Sequence, residues 1–463
     1  MKKHYIKKLF ATVAILLCSI TANAHDFEVD GIFYQILSRT DNTVAVTYKG
    51  YFHDSYFNEY NYAVAIPASV TYNGTTYSVT TIGYSAFSSC TNLTNVTIPN
   101  SVTTIERSAF AGCTSLANVT IPKSVTYIRS SAFYGCSNLA NITIPNNVTD
   151  IGDEAFYGCT NLANVTIGNS VTYIGFYAFS NCKNLKSVTI GNSVTTIGNN
   201  AFYYCTNLTN VTIPNSVTYI GEWAFFNCKT LASVTIPNSV TTIGNYAFEN
   251  CNSLKEVHIT DIAAWCNIDF GYSYSNPLSY AKNLYLNGEL VTDLIIPEGM
   301  TEIKKCAFIG CTSLTSTTIP NSVTSIEDRT FNSCSNLKSI HLLGETPPSV
   351  GNYNFIESQY TNITLYVPIG LLETYQNADT WKNFIDIREE GATRIDDVNA
   401  DNIAIEVTRN GIKLPCTEGE TVVVYTTNGT RVANISSYTG GKIALDKGVY
   451  IVRVKNNTLK VKL

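Results

Sequence analysis

Cysteine is the residue type in this chain best suited to chemistry, as nucleophile, metal ligand or disulfide partner, and there are 14 of them. Most stand on a fixed step. Cys90, Cys113, Cys136, Cys159, Cys182, Cys205, Cys228 and Cys251 are each 23 residues apart, and Cys311 and Cys334 repeat the interval. Such a column supplies thiols in a line, whereas zinc needs ligands that converge on a tetrahedral point. Stacked strands lie about 4.8 Å apart, and Cβ atoms at that spacing exceed the usual ~3.5–4.5 Å of a disulfide. The column therefore reads as a buried ladder of free thiols acting as small hydrophobes. Cys266, beside Trp265, has its own context and reads as core rather than nucleophile.

Other reactive types are sparse. His258 and His341, two of only five His, fall in one column but coils apart, so no shared metal is expected. Asp153 and Glu154 are adjacent carboxylates on a bend and read as a solvated corner. The chain has no G-x-S-x-G, H-E-x-x-H or P-loop motif. A catalytic site needs unlike residues converging on one point. This chain offers ladders of like residues instead: Asn95, Asn118, Asn141, Asn164 and Asn210 in one column, and Thr97, Thr120, Thr143, Thr166, Thr189, Thr212 and Thr235 in the next. We expect no catalysis, no cofactor and no metal.

The element that must position these columns is a coil. A fixed period of this length specifies a solenoid in which each unit packs only on its neighbours. In one unit the apolar positions are Leu93, Val96, Ile98, Val102, Ile105, Ala109, Phe110 and Cys113. Leu93, Val96 and Ile98 follow the L-x-x-L-x-L pattern of a short strand that alternates inward and outward. Pro99-Asn100 turns the chain; Gly168 and Gly191 replace the Pro in two copies, so the site requires a turn and not proline itself. Val102–Ile105 is a second extended piece, followed in many copies by a bend glycine such as Gly175 or Gly198. The spacing of Ala109, Phe110 and Cys113 fits one face of a short helical turn.

The consensus L-x-x-V-x-I-x-x-x-V-x-x-I-G-x-x-A-F-x-x-C resembles the BspA-type leucine-rich repeat over about residues 79–342. The resemblance implies a right-handed array with a parallel β-sheet on one face and short helical turns on the other, an α/β-type solenoid. It also implies a secreted or surface-attached protein, since some members of that class are adhesins for host matrix proteins or other cells. The repeats divide into 79–259 and 301–343 around an irregular insert, 260–300, with Thr330 in place of Ala in one later copy.

The remaining segments flank this array. Lys2, Lys3, Lys7 and Lys8, an apolar run from Leu9 to Ile20 and Ala22-Asn23-Ala24 form a signal peptide over 1–24, with the mature chain starting at His25. Lipidation at Cys18 is the alternative, but Leu17 stands where a small residue is expected. No later run is long enough to span a bilayer, so the mature chain is not expected to be membrane-spanning. Residues 25–78 read as an N-terminal cap with strands, and 344–390 as a C-terminal cap. Residues 397–463 read as a small β-sandwich, with Thr421–Tyr425, an Asn428-Gly429 turn, and Gly448–Val454 paired with Thr458–Leu463 across Asn456-Asn457. This segment resembles the C-terminal sorting domain of type IX secretion cargo, which implies a Gram-negative, outer-membrane-associated or secreted protein.

The net charge of -5 and a charged fraction of 14%, against about 25% in typical domains, leave no basic stripe for nucleic acid. Variation concentrates in the two positions after the bend glycine and the two after Phe. There Phe176, Tyr177, Tyr203, Tyr204, Trp223, Phe226 and Tyr246 cluster. Large aromatics grouped in this way mark an interaction site or pack on each other along the stack; both readings stand at this point. The function expected is a surface binding scaffold for a macromolecular ligand, protein or glycan, with adhesion foremost and carbohydrate or nutrient capture as the alternative.

Overall fold

The computed structural model describes residues 24–50, 58–389 and most of 406–462. All but the last residue of the expected signal peptide lies outside the described residues, as do 51–57, 390–405 and turn residues such as Asn428, Gly448 and Asn456. The chain forms two compact units, Met1–Leu208 and Thr209–Leu463.

In the first unit, Phe27–Val29, Ile32–Ser38 and Thr43–Thr47 form an antiparallel meander. Its last strand pairs parallel with Thr75–Ile82, which itself pairs parallel with Thr104–Ile105. The cap thus presents the repeat with a ready-made strand edge. From there each coil contributes two strands. At one position Asn118–Thr120 pairs parallel with Leu93–Thr97, and Asn141–Thr143, Asn164–Thr166 and Ser187–Thr189 continue as a second parallel ladder; Tyr127–Ile128, Asp150–Ile151, Tyr173–Ile174 and Thr196–Ile197 make the other position. Register is column on column: Asn141 faces Asn164, and Ile151 faces Ile174. Because register follows the repeat, every inward Val, Ile, Leu, Phe and Cys lands on its counterpart in the next coil.

The interior is a set of such ladders. Phe110, Phe133, Phe156, Phe179 and Phe202 are fully buried. Their rings stack at 5.1, 5.2, 5.2 and 5.5 Å between centroids, nearly coplanar, within the range of offset aromatic pairs. Several ladder cysteines do more than fill space. Cys136 Sγ donates to Phe110 O at 3.1 Å and Cys159 Sγ to Phe133 O at 3.2 Å, each reaching the preceding coil. Alanine or valine could fill the volume but could not donate this bond. All described cysteines are free and buried.

The edge opposite the strands is built of consecutive turns rather than the helical turn that the spacing suggests. Within one coil Ala109 N–H bonds to Glu106 O, Ala111 to Ser108 O and Cys113 to Phe110 O. The alternate amides leave the coil: Ser108 bonds to Ser130 O, Phe110 to Ala132 O and Gly112 to Tyr134 O. Left-handed backbone at Ser108 (φ 57°) and Gly112 (φ 73°) turns every second N–H toward the next coil, which an α-helix would keep for itself. The bend glycine is fixed by closeness of packing. A Cβ on Gly175 would stand 2.6 Å from the backbone of Gly152 and Asp153.

In the second unit Asn210–Thr212, Ser233–Thr235, Glu256–Ile259 and Leu284–Leu286 lie in one parallel ladder. The insert is an enlarged coil. Asp269–Phe270 takes the second strand position beside Thr242–Ile243, and Leu284 takes register with Val257. Ahead of Asp269–Phe270 a helix, Ile262–Cys266, is capped by the Asp261 side chain. The sheet then stops at the hairpin to Glu289–Leu290. A new parallel sheet runs through Asp293–Ile295, Ser316–Ile319, Ser339–Leu342, Thr364–Val367 and Asp386–Glu389. At this break side chains replace backbone donors. Trp265 Nε1 bonds to Ala307 O at 2.8 Å, and fully buried Asn276 Nδ2 bonds to Cys306 O and Ala307 O at 2.8 and 3.0 Å. In an ordinary coil the corresponding alanine carbonyl accepts from the preceding Phe N–H, as Ala109 O does from Phe87.

The C-terminal strands form two antiparallel sheets, one of Glu406–Thr408, Gly411–Lys413 and Ile443–Ala444, the other of Val422–Thr426, Arg431–Ile435, Val449–Val454 and Asn457–Lys462. Ile412, Leu414, Val422, Val424, Val452 and Val454 pack between them. The alternate residues Val423, Tyr425 and Ile451 face the repeat and pack on Ile295. Arg453 donates to Ser316 Oγ at 2.6 Å and stands 3.3 Å from Asp293, while Arg431 pairs with Glu289 at 2.7 Å.

Candidate functional site: an aromatic edge

Within the first unit Phe176 and Tyr177 are 45% and 39% exposed. Phe176 meets Tyr173 edge-on at 6.3 Å, and its N–H bonds to Asp153 Oδ1, so Asp153 holds the backbone there. Tyr177 meets Tyr157 at 6.5 Å, and Tyr157 stacks on Tyr134 at 4.9 Å. Tyr203 and Tyr204 are half-buried against each other at 4.6 Å. Burial first, then the neighbouring Tyr204, raise the Tyr203 hydroxyl above its ordinary pKa. Tyr134 and Tyr157 belong to this group although the variable columns were read without them; each directly follows its Phe, as Tyr203 does.

Within the second unit Trp223 stacks on Tyr246 at 5.8 Å with planes 9° apart, and Tyr246 meets Tyr272 of the insert at 5.9 Å. All three candidates here, Trp223, Phe226 and Tyr246, are half-buried. The seven positions therefore do not form one uniform patch: some rings are open and others are partly consumed in stacking.

Backbone conformation singles out four of the seven. Tyr177 (φ 54°), Tyr204 (φ 58°), Trp223 (φ 51°) and Tyr246 (φ 58°) all sit in the left-handed region. Most other coils place Ser108, Ser131, Asn200, Gly135 or Asn181 at the corresponding positions, while Glu154, Cys306 and Arg329 also occupy one of these columns. A bulky residue at positive φ is strained, whereas Gly and Asn adopt it readily. Folding alone would favour the small residues, and strained positions of this kind point toward function.

The strand face offers different chemistry. In the first unit a groove of about 1220 Å³ runs along Thr120, Thr143, Thr166, Thr189 and the turn residues Asn146 and Asn169. Its side chains bond along the column: Asn164 Nδ2 to Asn141 Oδ1 at 3.1 Å and Ser187 Oγ to Asn164 Oδ1 at 2.9 Å. The reactive residues are in structural use. His258 pairs with Glu256, buried His341 stacks on Tyr366, Asp269 pairs with Lys305, and burial pushes the Cys266 thiol up. Among the described residues no group of three or more His, Cys, Asp or Glu could hold a metal, and no helix is long and apolar enough to cross a membrane.

The family model for the BspA type leucine rich repeat region, with six copies, matches residues 67–186, 149–268 and 280–389, more than half of the chain. The chain belongs to this family. Among solved structures, a leucine-rich repeat protein from Bacteroides ovatus is 29% identical, covering 78% of this chain and 98% of its own, with a TM-score of 0.46. The leucine rich repeat protein of T. pallidum is 30% identical over 44% of this chain and 90% of its own, with a TM-score of 0.39. A leucine rich cell surface protein from Faecalibacterium prausnitzii is 26% identical over 69% and 95%, with a TM-score of 0.28. No curated protein sequence matches. The BspA-type repeat is a scaffold, so this chain's individuality lies in the columns that depart from the consensus: the aromatic edge, the insert and the covered coils near Ile295.

Proposed function

We propose that this BspA-type protein is an exported, cell-surface scaffold that binds a macromolecule without catalysis, and that adhesion to host matrix protein or other cells is the outcome. The observation that carries this reading is the placement of Tyr177, Tyr204, Trp223 and Tyr246 at left-handed positions, where Ser, Asn or Gly would fold more easily. Tyr and Trp supply rigid contact area at low entropic cost, which suits recognition. The test separates folding from binding. Tyr177→Asn and Tyr246→Asn keep a residue that accepts positive φ, so thermal stability should shift by no more than about 1 kcal/mol. Binding to immobilised matrix protein or cells should fall sharply in the same variants. Binding that survives asparagine at Tyr177, Tyr204, Trp223 and Tyr246 together would remove the aromatic edge from the hypothesis.

A second reading, carbohydrate capture on the same edge, is favoured by the partly open Trp223–Tyr246 stack; it predicts glycan-array hits that Trp223→Asn abolishes. For export we assign 1–24 as the signal peptide and the C-terminal sandwich as a type IX sorting or retention module. Deleting 397–463 should move the protein off the cell surface, and unchanged surface display would leave the sandwich as a structural domain only.

A further inference from the structure

The insert builds a cleft that the repeat alone would lack. Tyr272 and Tyr274, 43% and 44% exposed, stand at one side of a cavity of about 330 Å³, the lower end of the size range for small-ligand sites. Lys282 and Arg329 also line it, and none of its lining residues is acidic. Lys282 has left-handed backbone (φ 67°) at the end of the helix Leu278–Ala281, and its ammonium folds back to Ser279 O. Burial lowers its pKa from the ordinary value. Arg329 (φ 57°) occupies the same column as Trp223 and Tyr246. Its guanidinium lies 4.6 Å from the Tyr353 ring centroid and 5.7 Å from that of Tyr272. Stacking on rings fixes the plane of a guanidinium and leaves its N–H edges available for a carboxylate. Among the described residues neither cation is paired with a carboxylate. Two cations thus line one cleft that has no acidic residue in its lining, in a chain of net charge -5.

The geometry points to a site for a carboxylate-bearing pyranose, a uronic acid unit of an acidic glycan, with the sugar face on Tyr272 or Tyr274 and its carboxylate on Arg329 and Lys282. The polar lining, including Ser279 and Asn332, suits a hydroxyl-rich ring better than a peptide side chain. This site stands independently of whether the aromatic edge binds a protein.

The test is calorimetric titration of the mature full chain with an oligogalacturonate, its methyl ester and an oligoglutamate. The oligogalacturonate should bind, and more weakly as salt rises. The ester should bind about tenfold or more weaker, the loss of a charge-assisted bidentate pair. Arg329→Asn, which keeps a residue tolerant of positive φ, and Lys282→Gln should each weaken binding to a similar degree. Tyr274→Ala, at an exposed ring, should weaken it without lowering the melting temperature. Absence of oligogalacturonate binding overturns the proposal, as does equal binding of the ester. Equal binding of oligoglutamate would replace the sugar with an acidic peptide. Unchanged affinity in a folded Arg329→Asn variant would also sink it.

Discussion

The outward strand columns are open between Asn118 and Thr189 and covered between Asp293 and His341. In the open coils the three strand residues alternate exposed, buried, exposed. In Ser316–Ile319 all four are buried, and His341 is only 2% exposed. What differs is the residue in the outward columns. Asp293 stands where the open coils carry Asn, and Ile295 where they carry Thr. These two side chains meet Arg453 and the Val423, Tyr425, Ile451 cluster of the C-terminal sandwich. Thr318 is buried although its residue type is unchanged, so the cover comes from the sandwich, and Asp293 and Ile295 are where it is held. Apolar burial and the pairing of buried Arg453 with partly exposed Asp293 hold it there, not a change of fold.

The largest effect should be one the two regions share. Burial pushes the Cys159 and Cys251 thiols up to about 12 and the Cys311 thiol to about 11. The unfolded chain deprotonates near the ordinary thiol value while the folded chain does not. Stability is therefore full below about pH 8.5 and falls as pH rises toward the folded values, by about 1.4 kcal/mol per pH unit for each such thiol. Denaturant melts from neutral to alkaline pH should show open and covered coils losing stability together. A pH-independent melt over that window would mean the thiols are not buried as a ladder.

Next in size is a change that separates the regions. Ile295→Asp buries a second carboxylate beside Asp293 and against Val423 and Tyr425. It should weaken docking of the sandwich by on the order of 3 kcal/mol. Scanning calorimetry should then resolve a separate, earlier transition for the sandwich. Thr166→Asp makes the same substitution in the same column of an open coil, and should change stability by no more than about 0.5 kcal/mol. If both variants behave alike, the covered face is not a docking surface. Arg453→Met keeps the packing volume but removes the donor to Ser316 and the partner of Asp293. Its cost, read from the sandwich transition, should be about 2 kcal/mol; Asp293 is partly exposed, which limits the value.

Much of this contrast was readable in the chain, though not all. The 23-residue step places every inward residue and fixes the parallel register. Ile295 within Leu294-Ile295-Ile296 breaks the alternation of an outward Thr column, and the unbroken apolar run Val422–Tyr425 is what a strand buried on both faces requires. Neither signal says what covers the strand, so the docking itself was not foreseen from the chain. The edge turns were harder. Spacings of three and four residues occur both in helices and in consecutive turns, and only the recurrence of Gly, Asn and Ser at Gly112, Gly135, Asn181 and Ser89 discriminates, since those residues accept left-handed backbone. The thiol-to-carbonyl bonds and the buried Asn276 had no sequence signature, because both depend on distances to a neighbouring coil. The aromatic columns were legible as variable positions, and Tyr134 and Tyr157 stand in the same column as Tyr203; only the insert's Tyr272 joins them through space alone.

The smallest expected effect tests whether the open face is only a solvated ladder. Asn164→Asp combined with Thr166→Ile copies the Asp293 and Ile295 pattern into an open coil. Asn164 Nδ2 donates to Asn141 Oδ1 and its Oδ1 accepts from Ser187 Oγ, so the aspartate keeps the acceptor and loses one exposed donor. Isoleucine suits an outward strand position by propensity while exposing apolar surface. The two terms oppose each other, and a melt of the double variant should lie within about 0.5 kcal/mol of the parent. A larger loss would show that the Asn column contributes cooperatively through its side-chain bonds, and the open face would then be a structural element in its own right. A null result would leave the open ladder free to change at little cost to folding, which is how the covered face could have arisen from it.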